Sequence, residues 1–330
     1  MSSNTIYEAQ ILTKNLYKIF AGVYSDFRVA AFSEYKFELE PLSYEEFINA
    51  VEKKLIQCIV LLENQIPTAF LVYTTAISEA IELNIIHCLG DEELLEKRKI
   101  LLEKFLEETE ELRQQKIVCY PMLGSQANFV GDIAHYGFKF VGLAVLRFMM
   151  QNSNSESILN NMTLTEKEPG YELVEWSNDY LEAAIPLVQS AFEESADALF
   201  DPRFKSIEGT RDILEKIVQG IYGEFLPEAT SVLLYDGKPV GFCFANLTGG
   251  KIANFPIVAI AKEHQGKGLS KHLLKKSVET LIAWSKAGTK DITEVNTSAE
   301  TNNYQALKMY RHVGFKEDYS YPQSFLPISE

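Results

Sequence analysis

Ile257-Val-Ala-Ile-Ala-Lys-Glu-His-Gln265-Gly266-Lys267-Gly268-Leu269-Ser270 is the stretch that decides how this chain is read. A run of β-type residues enters a turn holding two glycines. A helical pattern leaves it, with Leu273, Leu274, Val278, Leu281 and Ile282 at helical spacing. Such a turn aims several backbone N–H groups at one spot, and the helix N-terminus adds roughly half a positive charge there. The combination is that of a pyrophosphate site, with glycines where a Cβ would hinder close backbone approach. Two rival phosphate motifs are excluded. A P-loop needs its lysine after the second glycine, but Lys267 stands between the glycines. A Rossmann fingerprint needs a third glycine, but Gly268 is followed by Leu-Ser-Lys.

A second motif lies downstream, Asn303-Tyr-Gln-Ala306-Leu-Lys-Met-Tyr310-Arg-His-Val-Gly314-Phe315. Asn303 suits a helix N-cap. Ala306 and Tyr310, four apart, share a helix face, and Gly314 suits a helix stop. Together the two motifs resemble the signatures of the GNAT (Gcn5-related N-acetyltransferase) family, Gln/Arg-x-x-Gly-x-Gly/Ala and Asn-x-x-Ala-x-x-x-Tyr-x-x-x-Gly-Phe. Ser270 departs from the Gly or Ala of the first; every marked position of the second is present. The resemblance covers about 160 residues, from roughly 170 to 330.

The first half resembles that layout in outline. Val60-Leu-Leu-Glu-Asn-Gln-Ile-Pro-Thr-Ala-Phe70 shares five of eleven positions with Val232-Leu-Leu-Tyr-Asp-Gly-Lys-Pro-Val-Gly-Phe242, 172 residues on. Tyr136-Gly-Phe-Lys139 resembles Val313-Gly-Phe-Lys316, 177 residues on. Two matches in one order at nearly one offset argue for a duplicated unit. Each copy reads as a helix (Leu181 to Phe192 in the second) and a hairpin, with Asp236-Gly237 as the turn of the second. A strand follows (83–89 and 255–261), then a helix (92–114 and 269–287), a strand, a short helix and a last strand. The expected fold is α/β (α+β): two GNAT-like domains, each a mixed, mostly antiparallel sheet flanked by helices. The expected boundaries are 1–150 for a degenerate first domain, 151–169 for a polar linker and 170–330 for the catalytic domain.

The charge of −15 divides as −9 before residue 170 and −6 after it, which excludes the basic footprint of a nucleic-acid binder. No long apolar run or signal-peptide plan is present, so a cytoplasmic protein without a membrane partner is expected. Cys58, Cys88, Cys119 and Cys243 sit in apolar runs with no CxxC, which predicts buried thiols and no metal site.

The resemblance implies acyl transfer from acetyl-CoA to the primary amine of a small molecule or peptide. The backbone of Val258, Ala259 and Ile260 would hold the pantetheine. Gln265, Gly266, Lys267, Gly268, Leu269 and Ser270 would bind the pyrophosphate, Asn303 would border the site, and Tyr310 would protonate the leaving thiolate. Some members carry a glutamate eleven residues before the loop; here that residue is Asn254, leaving Glu294 or water as the base. Glu193, Glu194, Asp197 and Asp201 stand near the expected acceptor side, where solvated carboxylates are the plainer reading. In the first half the loop falls on Cys88-Leu-Gly-Asp91-Glu92-Glu93, whose carboxylates repel phosphate, and Tyr310 falls on Ile133. A non-catalytic acyl-CoA-binding protein is the alternative, and the oligomeric state stays open.

Overall fold

The computed structural model describes residues 6–77, 79–150 and 169–328. The chain forms two compact units, residues 1–141 with 321–330 and residues 142–320. All but the last residue of the expected linker at 151–169 lies outside the described residues.

In the first unit, β1 (Tyr7–Ile11), β2 (Gln57–Glu63), β3 (Ile66–Thr74) and β4 (Ala80–Cys88) are antiparallel neighbours. β5 (Ile117–Pro121) joins β4 in parallel, but only over Ala80–Glu82. The central strands are apolar on both faces, because both are covered: β3 buries Phe70 towards the helices Tyr17–Ser33 and Tyr44–Glu52, and Leu71 towards the helix Leu94–Glu108. The predicted helix 92–114 stops at Glu108, where Thr109 Oγ1 donates to the Phe105 carbonyl at 2.7 Å, and a 3₁₀ turn follows.

The second unit repeats this order. The labels continue with β6 (Lys139–Met149), β7 (Tyr171–Glu175), β8 (Glu224–Phe225), β9 (Ser231–Tyr235), β10 (Lys238–Cys243), β11 (Asn246–Thr248), β12 (Ile252–Asn254), β13 (Val258–Ile260), β14 (Glu294–Glu300) and β15 (Lys316–Leu326). β9 and β10 meet at Asp236-Gly237, whose φ values of 48° and 76° are both left-handed, as a two-residue hairpin turn requires. β12 runs parallel to β14, while β13 is the edge of a second sheet ordered β13-β10-β9-β7. The helix Leu269–Ala287 buries Leu273, Leu274, Val278 and Leu281, as their spacing predicts.

The duplication extends well beyond the matching residues. β4 at 80–88 corresponds to β12 and β13 at 252–260, and β6 at 139–149 to β15 at 316–326. The boundaries differ from the sequence division at the last strand of each repeat. Residues Leu143 to Met149 pair with Glu300 to Glu294 inside the second unit. Gln323 to Leu326 pair with Pro121 to Val118 inside the first. Each unit is thus completed by the other repeat's final strand. All four cysteines are buried and unbridged. Among the described residues no helix is long and apolar enough to cross a membrane.

Candidate active site

Of the run expected as a strand at 255–261, only Val258–Ile260 (β13) is one, and β12 ends before it at Asn254. Phe255 N–H donates to the Asn296 carbonyl at 3.0 Å, which ends the pairing with β14. Pro256 offers no N–H, and by Val258 the chain pairs with β10 alone. β13 and β14 therefore belong to different sheets and splay apart. Phe244 N–H bonds Ile257 O and Ala261 N–H bonds Val240 O. In this antiparallel register the N–H and C=O of Ala259 turn towards Phe242, while those of Val258 and Ile260 turn to the unpaired edge. Ala259 thus differs from its expected role: its backbone serves the sheet, and its methyl group is buried against the core that holds Phe242 and Phe244.

A cleft of about 240 Å³ lies along that free edge. Val258, Ile260, Gln265, Gly266, Gly268, Leu269, Ser270 and Asn303 line it, together with His264, Ala306 and Met309. Gln265 folds back, its Nε2 donating to the Ile260 carbonyl at 2.9 Å, and so ties the loop to the strand end. Gly266 and Gly268 have φ of 76° and 75°. A Cβ on Gly266 would meet nothing within 4 Å, so its left-handed backbone, rather than crowding, calls for glycine. The helix Leu269–Ala287 begins without any side-chain cap, which leaves its first N–H groups unsatisfied at the cleft. Lys267 turns outward, and its Nζ donates to the Tyr171 hydroxyl at 3.1 Å.

Asn303 is the N-cap of the helix Tyr304–Val313, its Oδ1 accepting from Ala306 N–H at 3.0 Å. Replacing it with Ala is expected to cost about 1 kcal/mol of stability, read as a lower urea midpoint with an unchanged slope. Tyr310 is buried against Phe315, and its hydroxyl lies 3.2 Å from Thr297 Oγ1. Thr297 has one proton and a second acceptor, the Phe255 carbonyl at 3.2 Å. Thr297 Oγ1 donates to the Tyr310 hydroxyl oxygen and shares its proton with that carbonyl. Burial first pushes the phenol far above its ordinary range, so it keeps its proton at neutral pH. The ring lies in the core rather than on the cleft wall.

Asn254, at the position where some members carry the base, and Glu294, the base candidate drawn from sequence, both have other partners. Asn254 Nδ2 donates to Thr248 Oγ1 at 3.0 Å. Glu294 is held by Arg147 at 2.5 Å, and Arg147 also reaches Asp318 at 2.8 Å. Of the acceptor-side carboxylates, Glu194 is exposed and Glu193 lies 3.8 Å from Lys262. Asp201 is bound twice by Arg203, at 2.8 and 2.7 Å. Asp197 is half-buried, and the N–H of its neighbour Ala196 donates at 3.0 Å to Oε1 of Glu300, a residue that nothing in the sequence marks out.

Residues 227–317 match the family model described as acetyltransferase (GNAT) domain. That segment is a GNAT domain. No curated protein matches the chain by sequence. The whole chain is similar in structure to a GCN5-related N-acetyltransferase from Sphaerobacter thermophilus, with TM-score 0.66, 14% identity and coverage of 98% of this chain and 96% of that one. A tandem GNAT protein from the clavulanic acid biosynthesis pathway gives TM-score 0.61 at 12% identity, covering 97% and 98%. A glucosamine N-acetyltransferase region of a fungal multi-domain β-N-acetylglucosaminidase gives 0.64 at 11%, covering 98% of this chain and 38% of that one. At these identities the likeness is one of fold: two GNAT-like domains, in a tandem arrangement.

The first GNAT-like unit has the same splay between β4 and β5, but fills it. Ile86, the counterpart of Val258 at offset 172, donates its N–H to Gln126 Oε1 at 3.0 Å, and Tyr120 O–H donates to the same oxygen at 2.6 Å. Gln126 is completely buried. The strand N–H that stands free in the second unit is thus already satisfied in the first. Asp91, Glu92 and Glu93 are exposed beside it, and Ile133, opposite Tyr310 in the repeat, is a core residue.

Proposed function

We propose that the second unit is an acyl-CoA-dependent N-acetyltransferase, moving the acetyl group of acetyl-CoA to the primary amine of a small molecule or peptide. The observation that carries this is the unpaired strand edge formed by Val258 and the Ile260 N–H, which ends across a two-glycine turn on an uncapped helix N-terminus. An extended pantetheine amide chain matches the spare donors and acceptors of such an edge, as an added strand would. A pyrophosphate matches the free N–H groups and positive end of the helix. The residues present therefore suit CoA. Gln265, Gly266, Gly268, Leu269 and Ser270 would hold its phosphates, and Lys267 would sit outside them. A strand N–H directed at the thioester carbonyl would favour the charge that develops on its oxygen. Tyr310 would pass a proton to the departing sulfur. The filled cleft of the first unit supports a non-catalytic role for it.

The test is thiol release from acetyl-CoA by the full-length protein, assayed with spermidine, kanamycin, glucosamine and lysine-containing peptides. Release that needs both protein and amine is the expected result. The burial of Tyr310 away from the cleft wall favours one second reading, an acyl-CoA-binding protein without turnover. CoA binding with no release from any amine would select that reading.

A further inference from the structure

One wall residue of the cleft is held by a network that the backbone contacts do not explain. His264 closes the 3₁₀ turn Lys262–His264, just ahead of the two glycines, and lines the cleft beside Gln265, Gly266 and Gly268. Its Nδ1 lies 2.7 Å from the hydroxyl of Tyr171, at the start of β7. Tyr171 itself stands off the cleft. The same hydroxyl oxygen accepts from Lys267 Nζ at 3.1 Å. One phenol thus joins the residues on either side of Gln265-Gly266.

Two rings fix the imidazole. It stands edge-on to the Tyr171 ring, at 5.6 Å and 89°, and lies 5.0 Å from the Tyr235 ring. Tyr171 and Tyr235 are opposite each other in the pairing of β7 with β9, with ring centroids 4.7 Å apart. Gly170 makes room for them: its φ is 90°, and a Cβ there would come within 3.0 Å of the Tyr235 ring. An imidazole held this way has little rotamer freedom left to lose when a ligand binds.

The hydrogen bonds assign its tautomer. Tyr171 has one hydroxyl proton. The Lys267 ammonium occupies the phenol oxygen and strengthens the O–H as a donor. That proton goes to His264 Nδ1, so the neutral imidazole carries its own on Nε2. Among the described residues Nε2 has no hydrogen-bond partner. The uncapped N-terminus of the helix Leu269–Ala287 meets the same cleft. Resting on the acetyltransferase reading, we infer that His264 Nε2–H is a side-chain donor to the diphosphate of CoA, and that Tyr171 is the residue that positions it. A diphosphate has several non-bridging oxygens, so a side-chain N–H adds to what the helix end supplies. Lys267 serves the site through Tyr171, which accounts for its turning away from the cleft.

The experiment is calorimetric titration of CoA, dephospho-CoA and pantetheine into the full-length protein and its variants, with pantetheine read by displacement of CoA. His264→Ala is expected to weaken CoA binding by ~10–100-fold, the worth of a hydrogen bond to a charged group. Tyr171→Phe keeps the ring packing and loses only the oxygen. It is expected to weaken CoA binding by about 2–10-fold, the cost of ordering one side chain on binding. The double variant is expected to match His264→Ala alone, because Tyr171 acts through His264. His264→Gln, whose amide N–H reaches the same place without help from Tyr171, is expected to restore most of the affinity. Dephospho-CoA keeps the diphosphate and lacks only the 3′-phosphate, so it is expected to lose as much as CoA. Pantetheine has no phosphate and is expected to bind every variant as it binds the native protein.

Native CoA affinity in His264→Ala would overturn the inference while leaving the acetyltransferase reading intact. So would a loss that spares dephospho-CoA, which would put His264 at the 3′-phosphate. An equal loss for pantetheine would also overturn it, making the pair a structural brace. A native protein that binds none of the three compounds would instead overturn the acetyltransferase reading, and this inference with it.

Discussion

Tyr310→Phe is expected to lower kcat by ~10²–10⁴-fold, the usual worth of a positioned general acid, and to leave CoA affinity unchanged. The ring is buried against Phe315 and loses none of that packing when only the oxygen is removed. Thr297 Oγ1, which donates to the lost hydroxyl, keeps the Phe255 carbonyl as an alternative. Folding is therefore nearly neutral, and the loss falls on the step in which the thiolate leaves. The effect belongs in kcat because the proton is needed only there. Steady-state rates with saturating acetyl-CoA, beside calorimetric CoA affinities, separate the outcomes. Full kcat in the variant would make Tyr310 a core residue only. Weakened CoA affinity at unchanged kcat would make it a positioning residue.

Gly268→Asp is expected to weaken CoA binding by about 100-fold or more. A carboxylate at the helix N-terminus would stand some ~5 Å from the phosphates, worth about 3 kcal/mol of repulsion in a partly exposed site. Lys271 offsets part of it, since its side chain lies 3.2 Å from the Cβ position and can pair with the new charge. The left-handed φ of 75° adds about 1–2 kcal/mol of strain, which Asp bears better than most residues. The fold survives a cost of that size. Gly268→Ala carries comparable strain without the charge and is the control. Circular dichroism and CoA titration on both proteins check the expectation, and equal affinities would mean that the phosphates bind elsewhere.

Local chemistry was the legible part of the chain. The Asp236-Gly237 turn, the helix Leu269–Ala287 and the Asn303 cap rest on residues adjacent in sequence, and the structure has each where its pattern predicts. Pairing at long range was not legible. Nothing in Lys139–Met149 or Lys316–Leu326 says which β14-like or β5-like neighbour it will join, because the backbone of a strand can pair with either edge. The orientation of Ala259 was hidden for the same reason: a three-residue strand carries no sign of which backbone groups face β10. Pro256, however, does mark the break before it. The buried Gln126 of the first unit reads in sequence as an ordinary loop amide, and its role depends on meeting Ile86 forty residues away. Ala196 and Glu300 are likewise distant in sequence, and only folding brings them into hydrogen-bond contact.

The experiment that bears most directly on the whole account is calorimetric titration of acetyl-CoA into the full-length protein. The native chain and Gly268→Asp are compared with Gly90→Asp, a control change in the corresponding loop of the first unit, where Asp91 already stands at the place of Gly268. The account predicts one site per chain in the native protein, the same site in Gly90→Asp, and its loss in Gly268→Asp. Two sites per chain, no site, or one site that persists in Gly268→Asp and vanishes in Gly90→Asp would contradict it.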